Sequence, residues 1–311
     1  MTGHDQRRGI AAGITAYALW GLFPLYFRLL DAAGPVEILS HRILWSLVVM
    51  AIVLVARSDL GWIRPLLHRP RQLAELALAA LLIAINWLLY VWSVEHDRVV
   101  DAALGYFINP LVTVTLGVVV LGERLRRLQW VAVALGATAV AVIAIGYGEV
   151  PFVALTLAVS FAGYGYLKKQ VTLTPTQSLG AETALLAPAA LIAMAVLAGR
   201  GGIEFGDDVG TSLLLMTTGV VTAVPLVLFA AAARRIPLTM LGLLQYLTPS
   251  LQFLCGVVVF SEPMPPERWA GFALVWVALA CMSFDAIRQL RRGAGPSEAD
   301  DVTVAATPEL G

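Results

Sequence analysis

Ten apolar stretches divide this chain and confine its charged residues to the segments between them. A helix needs roughly 20 apolar residues to cross the hydrocarbon core of a bilayer. Only four of the 21 basic and 21 acidic residues fall inside the stretches, whereas a soluble enzyme spreads its charge along the whole chain. The pattern predicts an all-α integral membrane protein with ten transmembrane helices. The stretches are residues 9–30, 35–56, 76–93, 102–121, 130–147, 151–167, 178–198, 212–233, 238–260 and 269–284.

The basic residues outside these stretches predict the orientation of the chain. Lys and Arg are retained on the cytoplasmic side of a membrane. Sixteen of them lie in the terminal segments and one alternate set of loops, and only Arg98, Arg200 and Arg268 lie in the opposite set. Both termini are therefore expected in the cytoplasm. The small, acidic segment at 293–311 is expected to be a disordered cytoplasmic tail.

An internal repeat relates the two halves of the chain. Residues 104–141 align with residues 243–280 without a gap, and twelve of the 38 positions are identical. The coincidences include Pro110 with Pro249 and Glu123 with Glu262. We therefore predict a first repeat at 1–148 and a second at 149–292. Each repeat would hold five helices, and an odd number of crossings inverts the second copy, an arrangement that many secondary transporters use.

Several motifs resemble the drug/metabolite transporter superfamily, and within it the EamA-type permeases of the RarD group. They cover nearly the whole chain and are E-I-L-S-H-R-I-L-W-S at 37–46, N-W at 86–87, L-G-Y-F-I-N-P at 104–110, G-E-R-L at 122–125, Y-G-Y-L-K-K at 164–169, P-L-V-L-F at 225–229 and Q-Y-L-T-P at 245–249. The resemblance implies two inverted five-helix repeats in a bacterial inner membrane and permease activity toward small metabolites or drugs. One departure is Asp101, where the resemblance would place a small polar residue.

Charged residues at membrane depth are candidates for gating or coupling, because an unpaired charge there is costly. We expect a cluster in the periplasmic third, where Glu37 pairs with Arg28 across a hairpin or with His41 along one helix face. A second cluster is expected at the cytoplasmic end. The alternative is that these groups are interfacial charges that fix helix depth. The candidates are Arg28, Glu37, His41, Arg42, Lys169 and Glu182.

Polar and aromatic residues near the middle of the stretches are candidates for a substrate cavity. A small-molecule site combines apolar walls with a few polar groups. The alternative is helix packing, in which amide side chains form hydrogen bonds between helices. The candidates are Trp20, Asn86, Trp87, Tyr106, Asn109, Gln245 and Tyr246.

Other classes of protein are less consistent with the sequence. It contains no His-Glu-x-x-His or Gly-x-Ser-x-Gly motif and only His41 among its histidines falls in a stretch, so no enzyme, metal site or cofactor is predicted. The basic loops are explained by topology, not by nucleic acid. A receptor or structural membrane protein without transport activity is the alternative to a permease. Monomer and homodimer stay open, as do proton coupling and facilitated exchange.

Overall fold

A computed structural model describes residues 3–122, 124–236 and 238–293, and these ranges hold thirteen α-helices. Glu123 and all but the first residue of the tail predicted at 293–311 lie outside them. The helices are α1 (Gly3–Gly21), α2 (Phe23–Arg28), α3 (Pro35–Ala56), α4 (Ile63–Leu67), α5 (Pro70–Glu95), α6 (Val99–Leu121), α7 (Arg127–Tyr147), α8 (Phe152–Gln170), α9 (Pro175–Gly199), α10 (Val209–Ala233), α11 (Leu238–Leu244), α12 (Leu247–Leu254) and α13 (Pro266–Gly293).

Eight helical segments in the described ranges are long and apolar enough to cross a membrane. Two shorter apolar helices, Phe152–Lys168 and Leu247–Val259, accompany them. These segments fall on the ten apolar stretches of the sequence. The prediction of an all-helical protein with several membrane-spanning helices is therefore confirmed.

Eight segments of this set pack side by side in a closed ring. Its order is α1, α10, α3, α9, α5, α8, α6, α12 and back to α1. Members from the first half of the chain alternate with members from the second half all the way around. Helices α7 and α13 pack against each other, and both also contact α6. Every interface between ring neighbours consequently joins the two halves of the sequence.

Prolines interrupt two of the ring segments. Leu22 separates α1 from α2, whose first turn contains Pro24, and a similar break precedes Pro249 between α11 and α12. Because proline has no N–H, the carbonyl of Trp20 loses its helical donor. The side-chain amide of Gln252 in α12 donates to this oxygen at 3.3 Å. A backbone group freed inside the bundle is thus satisfied by a neighbouring ring helix.

Glycines allow the closest helix contacts. A Cβ at Gly219 of α10 would lie 2.4 Å from the carbonyl carbon of Trp45 in α3. A Cβ at Gly105 of α6 would lie 2.8 Å from the carbonyl oxygen of Ala154 in α8. Small residues at such points let helix backbones approach in a membrane. The ring therefore depends on backbone contacts that no larger residue permits.

The Gly219→Ala substitution should lower the melting temperature of the detergent-solubilised protein. The added methyl group meets the backbone of Trp45, which cannot move aside as a flexible side chain could, and overpacking of this kind costs about 1–3 kcal/mol. The matched control is Gly165→Ala in α8, where an added Cβ meets nothing within 4 Å. Equal melting temperatures for the two variants would contradict the proposed close contact.

Candidate functional site

The two ends of the bundle are distinguished by two buried carboxylates. Helices α3 and α9 are antiparallel, since Gly180 near the start of α9 meets Leu54 near the end of α3. Glu37 lies in the first turn of α3, and Glu182 lies two turns into α9. We call the corresponding ends of the bundle the Glu37 end and the Glu182 end.

Arg42 of α3 occupies the interior of the ring. Its side chain is almost fully buried, with 4% of the residue surface exposed. The guanidinium carbon lies 4.0 Å from the ring centroid of Trp87 in α5, and 5.6 and 5.5 Å from those of Phe23 and Phe27 in α2. Its Nε donates to the hydroxyl of Thr222 in α10 at 3.0 Å. Three other ring segments therefore converge on this one cation.

No carboxylate of the described residues forms an ion pair with Arg42. The titratable groups that act on it electrostatically are the phenols of Tyr26, Tyr90 and Tyr106. Aromatic faces stabilise a guanidinium through cation–π attraction, but they do not neutralise its charge. The centre of the ring therefore carries an uncompensated positive charge on an aromatic lining.

Ser46 and Gln252 each have a buried polar atom with no hydrogen-bond partner among the described residues. One is the hydroxyl oxygen of Ser46, which follows Arg42 by one helical turn on the same face of α3. The other is the side-chain oxygen of Gln252, whose amide nitrogen donates to the hydroxyl of Tyr90 at 3.2 Å. Buried polar groups are normally paired, so the unpaired hydroxyl of Ser46, one turn from Arg42, indicates a site that a ligand or water completes.

Asn86 holds the next layer of the site together. Its amide nitrogen donates to the carbonyl of Leu157 and the hydroxyl of Ser160 in α8, each at 3.0 Å. Its oxygen accepts from the hydroxyl of Tyr106 at 3.0 Å. The ring of Tyr106 in turn lies 5.9 Å from that of Tyr90. This network fixes the position of the phenol that faces Arg42.

The structure brings together only some of the predicted cavity residues. Trp87 contacts Arg42, and Trp20 packs against the hydrophobic cluster that contains Phe23 and Phe27. Asn109 donates to the carbonyl of Ala158 and so connects α6 to α8. Gln245 is exposed at the break before α12, and Tyr246 packs beside a different cluster, around Phe253 and Phe272. Both residues stay candidates for the cavity on the sequence pattern alone.

Contacts at the Glu37 end differ in part from the expected ones. Glu37 is fully buried and accepts from the backbone N–H groups of Glu204 at 3.0 Å and Phe205 at 2.9 Å, in the loop before α10. It lies 3.8 Å from His41, one of its two predicted partners. The other predicted pair, with Arg28, is not formed. Arg28 lies beside the α5–α6 turn, where it binds Asp97 at 2.5 Å.

Sequence reasoning did not identify a further group of contacts at this end. Glu262 accepts from the backbone N–H groups of Val99 at 2.6 Å and Val100 at 2.9 Å, which begin α6. Arg268 pairs with Asp101 at 2.9 Å. The signals for them were weak: Glu262 appeared only as a match in the internal repeat, and Asp101 only as a departure from the family motif. Glu262 ties the start of α6 to the α12–α13 connection, and Asp101 ties it to the first turn of α13.

The Glu182 end holds a compact cluster of hydrogen bonds. Lys168 of α8 binds Glu182 at 2.6 Å and also donates to Ser178. Glu182 accepts from the hydroxyl of Tyr164 at 3.1 Å. The cation is Lys168, one residue before the predicted Lys169, whose side chain lies outside the described part of the structure. Glu182 is thus neutralised locally, unlike Arg42.

Metal chemistry finds no support in the described ranges. No group of three or more His, Cys, Asp or Glu side chains there is arranged to hold a metal ion. Cys255 is buried and Cys281 is partly buried, and neither forms a disulfide.

Comparisons with known proteins agree with the helical architecture. Residues 7–145 match the EamA-like transporter family. The chain is 54% identical to Protein RarD of Streptomyces exfoliatus over 306 residues, which are 98% of this chain and 97% of that protein. It is 39% identical to Protein RarD of Escherichia coli over 293 residues, which are 94% of this chain and 99% of that one.

Two further matches concern a transporter and a solved structure. An uncharacterized transporter of Vibrio cholerae is 41% identical over 285 residues, covering 91% of this chain and 94% of that protein. A solved crystal structure matches with a TM-score of 0.58 and 18% identity, covering 90% of this chain and 98% of that chain. The solved structure shares the fold.

Replacing Glu262 with alanine should destabilise the protein. The substitution leaves the N–H groups of Val99 and Val100 without their acceptor, and a buried unsatisfied donor costs about 1–3 kcal/mol. We expect a lower melting temperature in detergent than for Glu149→Ala, which removes an exposed carboxylate from the α7–α8 connection. If the two variants melt together, Glu262 does not stabilise the start of α6.

Proposed function

This chain belongs to the EamA-like transporter family, together with proteins named RarD, and from that premise we propose a permease that moves a small organic solute by alternating access. The proposed location is the inner membrane of a bacterium, as a multi-pass protein. The observation that carries the proposal is Arg42, an uncompensated cation in the interior of a helix ring. Ionisable groups at membrane depth mark substrate or ion pathways. Relatives named as transporters favour this function over a receptor or a structural protein.

The inverted repeat, which many alternating-access transporters contain, is supported by the order of the ring. Exchanging α1–α2 with α8, α3 with α9, α5 with α10 and α6 with α12 maps six neighbouring pairs of the ring onto other neighbouring pairs, and the α3–α9 and α6–α12 pairs onto themselves. The α7–α13 pair maps onto itself. Together with the alignment of 104–141 on 243–280, this favours two five-helix repeats of opposite orientation and ten crossings. Both termini would then be cytoplasmic, and the Glu37 end would be periplasmic.

The periplasmic gate in this proposal is the pair between Arg28 and Asp97. Arg28 ends the segment that contains α1 and α2, and Asp97 follows α5, four places away around the eight-membered ring. The side chain of Arg28 also lies 5.1 Å from the ring of Phe260. A bond between opposite members closes the mouth of a ring, and it has to break when that mouth opens.

Further groups at this end would assist the gate. Glu37 ties α3 to the loop before α10, and Glu262 ties the connection after α12 to α6. Both bonds join ring neighbours, so they would limit how far the helices separate. At the other end, Lys168, Glu182 and Tyr164 connect α8 to α9 and are the proposed cytoplasmic counterpart. Lys169 stays a candidate for the same gate on the sequence pattern alone.

The gate can be tested without knowing the substrate. In a Cys255→Ala/Cys281→Ala background, the Ser46→Cys substitution introduces one thiol, and the labelling of this thiol reports access to the ring interior. We expect little labelling by a membrane-impermeant maleimide added to right-side-out vesicles, and more labelling when Arg28→Asp breaks the pair. Adding Asp97→Arg should restore the low value, because the swapped charges attract again.

The matched control for this gate test is a charge swap at Arg71 and Glu75. These residues form an ion pair on α5 whose arginine side chain is 90% exposed, and their exchange should leave the labelling unchanged. Labelling of the Arg28→Asp variant at the wild-type level, or no recovery in the swapped pair, would contradict the gate.

Transport itself should be visible in proteoliposomes loaded with a bacterial metabolite extract. Mass spectrometry of the released compounds should find specific solutes that loaded liposomes without protein retain. Liposomes with the Arg28→Asp/Glu182→Gln variant should release the same solutes at a different rate. Repeating the measurement with an imposed pH gradient separates proton coupling, which accelerates release, from facilitated exchange, which does not respond. Release identical to that of loaded liposomes without protein would contradict permease activity.

A further inference from the structure

The uncompensated charge of Arg42 identifies a class of substrate. Resting on the permease function proposed above, we propose that Arg42 binds the carboxylate of a small organic monoanion whose body is aromatic or otherwise apolar. The other ionised groups deep in the described bundle have local partners: Glu37 has backbone N–H groups and Glu182 has Lys168. Arg42 has aromatic faces and one hydroxyl.

The charge and the donors at the site favour a carboxylate. Removing an isolated cation from water is unfavourable by several kcal/mol unless an anion and hydrogen bonds compensate it. One guanidinium is matched by one negative charge, whereas a dianion would leave an excess negative charge inside the ring. The fork of N–H donors on Arg42 fits a carboxylate in the bidentate geometry that makes such pairs strong.

Ser46 supplies a second donor for the same ligand. Its residue surface is completely buried and its hydroxyl has no partner among the described residues. It lies one turn from Arg42 on α3, so a carboxylate held by the guanidinium is within reach of the same helix face. By contrast, the hydroxyl of Ser40, also buried on α3, is already bonded to the carbonyl of Val36 at 2.8 Å.

The lining around the cation favours an apolar or aromatic body. The faces of Phe23, Phe27 and Trp87 now cover the guanidinium. When a carboxylate takes the cation, these faces become available to the rest of the ligand. Rings pack favourably on other rings at centroid distances of about 4.5–7 Å. Tyr90 and Tyr106 extend the same surface toward α6.

Direct binding to the detergent-solubilised protein tests the assignment. The probe is radiolabelled phenylacetate, and its unlabelled competitors are phenylacetate, the neutral phenylacetamide, the cationic 2-phenylethylamine and the dianionic phenyl phosphate. We expect saturable binding that phenylacetate displaces at least about tenfold better than the other three, since a hydrogen bond to a charged group contributes on the order of tenfold to a hundredfold in affinity.

Variants separate the role of Arg42 from its effect on folding. Arg42→Gln should weaken phenylacetate binding by about tenfold or more, and Arg42→Lys, which keeps the charge without the planar fork, should fall between it and wild type. Arg71→Gln, at an exposed site, should bind like wild type. Ser46→Ala should weaken binding about threefold or more, and Ser40→Ala should not.

The assignment is overturned if phenylacetamide competes as well as phenylacetate, or if Arg42→Gln binds phenylacetate normally. It is also overturned if wild-type protein that shows a cooperative melting transition, and is therefore folded, binds none of the four compounds. Binding of phenylacetate without its movement across proteoliposomes would contradict the permease and leave the ligand class in place. Transport of solutes that does not depend on a carboxylate would support the permease and contradict the proposed ligand class.

Discussion

Polar groups inside the bundle have to find partners within the protein, because the surrounding hydrocarbon offers none. This constraint explains most of the contacts that define the structure. The carbonyl that Pro24 frees is met by Gln252, and the buried carboxylate of Glu37 is met by two backbone N–H groups. Asn86 uses both ends of its amide to connect α5, α6 and α8. Arg42 stands out against this background, since only aromatic faces and one hydroxyl surround its charge.

The alternation of the two halves around the ring gives each half little structure of its own. Neighbours such as α3 and α10 are distant in sequence, and their contact depends on glycines such as Gly219 that admit a backbone. Two halves that share every interface between ring neighbours cannot separate as rigid bodies. In the proposed alternating access, opening one end and closing the other would therefore require tilts of individual helices, with the bonds at each mouth as the parts that change.

The helices and the set of charged residues at membrane depth could be predicted from the sequence, because length, apolar content and isolated charges are local signals. Arg42 was in that set, but it was expected among the gating residues of one end and not at the centre of the ring. The partners could not be predicted. Thr222 is 180 residues from Arg42, and the sequence does not indicate which residue a hydroxyl in an apolar helix contacts. Lys168 and Lys169 differ by about 100° around α8, and the sequence does not give the rotation of a helix. The apolar stretch at 238–260 was predicted as one helix, and the break at Gln245 and Tyr246 between α11 and α12 has no counterpart in that pattern.

The long range of these contacts also determines how the protein is made. At a synthesis rate of about 5–20 residues per second, Arg42 is synthesised about 9–36 s before Thr222, whose hydroxyl accepts the hydrogen bond from its Nε. The hydrogen-bond partners of Glu37, which are Glu204 and Phe205, are also synthesised later, as are the partners Leu157 and Ser160 of Asn86. A half-finished chain therefore sits in the membrane with its polar side chains unsatisfied and its helix faces open to lipid. Closure of the ring by α12 is a late event, so biogenesis depends on keeping the helices of the first half in the bilayer until those of the second half arrive.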